Sequence, residues 1–264
     1  MSQTVNVGDA SLYCEVQGGG PSLVLVTGAT GDGGYMQPLA DALADEFRVA
    51  TYDRRGNSRS PRPEGWTATS VEEQAKDLAG LVETLDLAPA VALGNSWGAL
   101  IALCTALEHE RVLRGAVLHD PALMTVLKNP EEAQAALRPV WEAMTEGGPP
   151  AATKAFVEFA FGEQLRALPD EVVARMLDNA DVLFGIEFES LGAWRPEEER
   201  VRAVSVPVGL LAGKESPPPF GEASSWIATR VGSDVVEVPG GHVGFIDSAH
   251  EFAEVARPLI RLMT

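Results

Sequence analysis

Residues 90–108 read Ala90-Val91-Ala92-Leu93-Gly94-Asn95-Ser96-Trp97-Gly98-Ala99-Leu100-Ile101-Ala102-Leu103-Cys104-Thr105-Ala106-Leu107-Glu108. The first four residues are a short β-prone run, and the last ten carry no break and almost no charge until Glu108. Between them lies Gly-x-Ser-x-Gly. Small residues flanking a serine permit a tight strand-to-helix turn, which lifts the hydroxyl clear of a sheet and aims the following helix N-terminus at it. By composition this pattern occurs by chance about 0.1 times in such a chain, and rarely between a buried strand and an apolar helix. The uncharged stretch 87–107 is long enough to suggest a membrane span. Pro89 and the Gly94-Asn95-Ser96 break divide it, so it reads as buried strand, turn and buried helix.

Outward from this unit, strands and helices alternate. Leu12, Cys14 and Val16 alternate with polar neighbours, as in a half-buried strand. Leu23-Val24-Leu25-Val26 and Val49-Ala50-Thr51-Tyr52 are continuous apolar runs, expected of strands covered on both faces. A glycine-rich loop spans 28–34, and a helix is expected over 37–45. Ser70-Val71-Glu72-Glu73 has the form of a capping box ahead of Val71, Ala75, Leu78, Val82 and Leu85 at helical spacing. Gly115–Leu118, Val206–Leu211 and Asp234–Val238 read as further strands, and a last helix spans 249–262. Alternation of this kind implies an α/β fold with a mostly parallel sheet flanked by helices. Between Leu123 and Ala203 only helical periodicity is found. The expected organisation is a core of 1–122 and 204–264, interrupted by a helical insertion over 123–203.

Of the 264 residues, 38 are acidic and 20 basic, a net charge of −18. That field repels phosphates, which argues against nucleic-acid or anionic-membrane partners. Cys14 and Cys104 form no spacing motif and read as buried free thiols. The first residues show neither a basic nor an apolar export region, so a cytoplasmic protein is expected.

In open parallel sheets reactive residues gather at the carboxyl ends of strands. Ser96 is one. A serine hydroxyl needs a base to take its proton, and four histidines are available. His109 reads as a surface residue, His119 ends a strand, and His250 begins the last helix. His242 follows the last strand in a loop opened by Pro239-Gly240-Gly241 and is the candidate base.

These residues resemble the α/β-hydrolase family over essentially the whole chain. Ser96 matches the family's nucleophile elbow, and Thr27-Gly28-Ala29-Thr30-Gly31 its oxyanion loop, with Thr27 replacing the usual histidine. Asp53–Ser60 resembles its Asp-x-Arg-Gly-x-Gly-x-Ser turn, with Ser58 in place of the second glycine, and His242 matches its histidine. By that resemblance the backbone N–H groups of Ala29 and Trp97 form the oxyanion hole and the helical insertion is a lid. Asp32 in the oxyanion loop is read as a solvated turn residue.

The family's usual acid follows strand seven, where this chain has Gly213-Lys214-Glu215-Ser216, so serine occupies the expected position. Asp120, after strand six, is favoured as the acid, a placement known in zearalenone-type lactonases and some lipases. Glu215, one residue early, is the alternative. Trp97, Met124, Phe184, Phe188 and Trp194 are candidate substrate contacts, and nothing positive is placed to hold an anionic group. The expected activity is a serine hydrolase cleaving a carboxylic ester or lactone of a largely apolar small molecule through an acyl-enzyme. No metal or organic cofactor is expected. Rival readings are other chemistry on the same fold (a carbon–carbon hydrolase, cofactor-free peroxidase or biosynthetic cyclase) and a small-molecule receptor with a vestigial triad.

Overall fold

The apolar runs assemble one eight-stranded sheet in the computed structural model, which describes residues 1–264. Its strands are β1 (Ser2–Val7), β2 (Ala10–Gln17), β3 (Ser22–Val26), β4 (Arg48–Tyr52), β5 (Ala90–Asn95), β6 (Leu113–His119), β7 (Val208–Gly213) and β8 (Val235–Val238), in the spatial order β1-β2-β4-β3-β5-β6-β7-β8. The β1–β2 and β2–β4 pairs are antiparallel and the remaining pairs parallel.

Successive side chains of the central strands enter two different cores. Val24, Val26, Ala92 and Leu118 pack with α2 (Val71–Thr84), α3 (Trp97–Glu108) and α10 (Pro218–Val231). Leu23, Leu25, Val91 and Leu93 pack with α1 (Gln37–Leu43) and α11 (Ala249–Arg261) on the other face. Both faces are therefore dry, which is why these strands read as unbroken apolar runs. The uncharged stretch resolves into β5, an interior strand, and α3, whose residues 97–106 are all buried. No helix is long and apolar enough to cross a membrane.

Between β6 and β7 the only regular elements are helices. The chain passes through α4 (Pro130–Ala136), α5 (Arg138–Phe161), α6 (Asp170–Asp178), α7 (Ala180–Val182), a π-helical turn (Leu183–Glu187), α8 (Phe188–Gly192) and α9 (Glu198–Arg202). The long α5 kinks at Gly148, whose φ of 68° precedes Pro149 and Pro150.

Two local readings are corrected and one strand is added. Strand β1 has no sequence signature, because as an edge strand most of its residues stay exposed. Ser70 does cap α2, accepting the Glu73 N–H at 3.1 Å, but the reciprocal half of the capping box is missing. The Glu73 carboxylate instead accepts from the Trp66 indole and the Thr69 hydroxyl. Asp32 is fully buried rather than solvated, held by Arg175 of α6 at 2.7 Å and capping the turn that begins at Gly33. Cys14 and Cys104 are buried free thiols, and burial pushes their pKa values up to about 11 and about 12.

Candidate active site

The turn from β5 into α3 bends at Ser96, which has φ 59° and ψ −120°. A non-glycine residue in such a conformation is strained and persists only where its surroundings over-determine it. Here they do. The Ser96 N–H donates to His119 O on β6 at 3.1 Å, and Ser96 O accepts from Ala99 and Ala122. A Cβ on Gly94 would lie 2.2 Å from Gly98 O, and one on Gly98 would lie 2.0 Å from Val26 O. Both glycines are thus required by close backbone approach, not by an unusual φ. The Ser96 side chain makes no capping bond to α3, which leaves its hydroxyl free.

Two strand-end loops meet beside this turn. Asp120 follows β6, also at positive φ (44°), and its carboxylate is fully buried. Oδ1 accepts the Gly213 N–H at 3.2 Å, while Oδ2 faces His242 Nδ1 at 3.3 Å and accepts the Ser216 hydroxyl. With Nδ1–H directed at a carboxylate, His242 Nε2 is the free acceptor of the ring. The ring stacks on Phe220 of α10, centroids 4.0 Å apart. Asn95, immediately before Ser96, donates to His242 O at 2.9 Å and so ties the histidine loop to the elbow. Ser96 and His242 are not hydrogen-bonded to each other here; such contacts are commonly long in ligand-free sites and tighten around substrate. Glu215 is exposed and its carboxylate makes no hydrogen bond, its backbone N–H donating to Gly240 O.

Burial raises the Asp120 pKa, but the two neighbouring imidazoles and the His242 and Ser216 hydrogen bonds outweigh it and hold the group at about 2. It is a carboxylate at neutral pH. His119 is the second imidazole, and sequence reasoning assigned it no role. Fully buried, it accepts from Asn95 Nδ2 at Nδ1 (3.1 Å), so Nε2 carries the proton and faces Asp120 Oδ2 at 3.6 Å. Burial pulls its pKa down to about 4. A histidine lowered from about 6.5 on folding contributes stability above pH 6.5 that is lost progressively towards pH 4. Denaturant titrations are expected to give an unfolding free energy about 2 kcal/mol smaller at pH 5 than at pH 7 from this group alone. The His119→Gln variant should lack that component; an unchanged slope would contradict the buried, neutral state.

On the opposite side of the elbow, the loop after β3 brings Gly28 against Ser96. A Cβ on Gly28 would lie 2.7 Å from Ser96 Cβ. Both backbone groups of Gly28 are held: its N–H donates to the Tyr35 hydroxyl, and its carbonyl accepts from Arg54 Nε (3.3 Å) and Nη2 (3.0 Å). The N–H groups of Ala29, which follows Gly28, and of Trp97, which follows Ser96, are engaged by no other group of the protein. Thr27, where the family has histidine, is fully buried and its hydroxyl is unpartnered, so Tyr35 and Arg54 support the loop instead.

Of the predicted contacts, Trp97 and Phe188 meet edge-on with centroids 5.5 Å apart, and Phe188 stacks on Phe184 at 5.0 Å. Met124 lies half-buried in the turn after Asp120. Trp194 points its indole N–H at Glu72 of α2, 2.8 Å away, a strut between the helical segment and the core. Phe220, Arg54 and Tyr35 were not identified as site residues from sequence. Arg54 occupies the variable position of the Asp-x-Arg-Gly turn, where no pattern announces a buried charge.

Residues 21–162 match the model of the alpha/beta hydrolase fold family. The chain belongs to that family. It is 28% identical over 258 residues to an uncharacterized hydrolase, YraK, of Bacillus subtilis, covering 95% of this chain and 93% of that protein. Among solved structures, a thermophilic esterase from Thermogutta terrifontis superposes with a TM-score of 0.77 at 23% identity, covering 100% of this chain and 99% of the other. An enol-lactonase from Burkholderia xenovorans superposes with a TM-score of 0.75 at 21% identity, covering 98% and 100%. This member of the family is a hydrolase of the fold those structures share.

Proposed function

We propose that this hydrolase cleaves a carboxylic ester or lactone of an uncharged, largely apolar small molecule through an acyl-enzyme on Ser96. The observation that carries the reading is the buried Asp120 carboxylate facing His242 Nδ1, in a loop tied by Asn95 to the Ser96 elbow. That polarity leaves Nε2 as the base. His242 takes the Ser96 proton as Oγ attacks the acyl carbon, and Asp120 stabilises the resulting imidazolium and fixes its tautomer. The Ala29 and Trp97 N–H groups receive the developing oxyanion, at roughly 3 kcal/mol each. His242 then protonates the leaving alkoxide, and water releases the acid by the reverse proton path.

The helical segment 123–203 acts as the lid. Phe184, Phe188, Trp141 and Phe156 form an aromatic cluster continuous with Trp97, which supports an apolar acyl or alcohol group. The esterase and enol-lactonase among the structural neighbours act in the proposed class. A fluorophosphonate probe is expected to label the protein, with the modified peptide mapping to Ser96. A short-chain p-nitrophenyl ester or γ-lactone should yield acid plus alcohol, or hydroxy acid, in stoichiometric amounts. Labelling at another residue, or none, would defeat the acyl-enzyme; labelling without turnover would favour a receptor.

A further inference from the structure

Glu187 lies in the lid at the end of its π-helical turn, 133 residues along the chain from Arg54, and both are fully buried. The pair is bidentate: Arg54 Nη1 donates to Oε1 at 2.6 Å and Nη2 to Oε2 at 2.8 Å, with Asn57 Nδ2 adding a third bond to Oε1 at 3.0 Å. The guanidinium has another partner, since Nε and Nη2 also grip the Gly28 carbonyl. In a planar trans peptide the Gly28 C=O and the Ala29 N–H are antiparallel members of one rigid unit. Whatever aims the carbonyl aims the N–H. The next lid residue, Phe188, packs edge-on against Trp97, the other proposed oxyanion donor. Two consecutive lid residues therefore reach the supports of both donors. The same loop is tied to the lid twice more, by Asn179 donating to Thr30 O and by Arg175 paired with Asp32.

We propose that Glu187 is a positioning residue for the oxyanion hole, acting through Arg54 on the Gly28–Ala29 peptide so that the hole is aligned only when the lid is seated. The inference rests on the serine-hydrolase reading above. A buried ion pair is weak evidence for a stabilising purpose, because well-packed apolar residues of similar volume commonly serve folding as well. A bidentate fork between lid and loop does supply orientation. π-turns of this kind occur frequently at functional sites.

Two variants test it in the full-length protein: Glu187→Gln, which keeps the shape but leaves Arg54 without a counter-charge, and Arg54→Met/Glu187→Met, which removes both charges. The double variant is included because it leaves no unpaired buried charge. Folding is checked by circular dichroism, and hydrolysis of p-nitrophenyl butyrate is compared with inhibition by phenylboronic acid. The boronic acid forms a tetrahedral adduct on serine, with an oxygen where the oxyanion develops. The expected result is a fall in kcat of roughly 10- to 100-fold with KM within about twofold, and an equal loss of boronate affinity. A residue that merely held the lid in place would raise KM and leave the ratio of boronate to substrate affinity unchanged. A folded double variant with wild-type kcat and boronate affinity overturns the proposal while leaving the serine mechanism intact. Wild-type protein that neither turns over the ester nor reacts with fluorophosphonate overturns both.

Discussion

Replacing Ser96 by alanine is expected to lower kcat for ester hydrolysis on the order of 10⁵- to 10⁶-fold. The loss is this large because, in the proposed mechanism, His242 Nε2 activates only the Ser96 hydroxyl. The two hydroxyls of the oxyanion loop, those of Thr27 and Thr30, are fully buried. Alanine keeps the backbone preferences of a residue with a Cβ, so the elbow at φ 59° is retained and the effect is chemical. Residual activity of roughly 10³-fold over water should survive, because the proposed Ala29 and Trp97 N–H donors would still bind the oxyanion. Single-turnover kinetics with p-nitrophenyl butyrate, alongside complete loss of fluorophosphonate labelling, check this. A loss below tenfold would mean that another group, or water, performs the attack.

The second large effect belongs to Asp120. Its substitution by asparagine is expected to reduce kcat by roughly 10³- to 10⁴-fold. The shape is conserved, but the amide can present N–H₂ towards His242 Nδ1, which turns the imidazole into the tautomer whose Nε2 carries a proton and cannot act as a base. The charge that stabilises the imidazolium is lost as well. Glu215→Gln should remain within about twofold of wild type, since an exposed carboxylate without a hydrogen bond holds nothing in place. Steady-state kinetics on the two purified variants decide the matter, and a reversed order of effects would move the acid to β7.

The elbow was legible because two glycines and a serine at fixed spacing encode a backbone constraint: Gly94 and Gly98 each stand where a Cβ would strike main-chain oxygen. The parallel sheet was legible because strands covered on both faces become unbroken apolar runs. Partners distant in sequence were not. Arg54 and Glu187 look like ordinary surface charges until folding buries each against the other, and Asp32 looked solvated for the same reason. His119 carries no pattern that separates a neutral buried imidazole from a surface one. Ser58 shows how a departure from the family pattern is accommodated. It stands where the family has glycine and adopts φ 52°, held by Asn179, which receives its N–H and donates to its hydroxyl. That compensation comes from the helical segment and cannot be read from the turn alone.

Ser216 occupies the position where the family resemblance places the acid, and its hydroxyl donates to the oxygen of Asp120 that faces His242. The imidazole thus has two addresses for its counter-ion, only one of which is filled. Installing aspartate at 216 while keeping Asp120 would set two carboxylates in one dry recess, and one of them would have to stay protonated. Aspartate at both places would therefore share one proton, with one carboxyl pKa raised, instead of doubling the charge beside the imidazole.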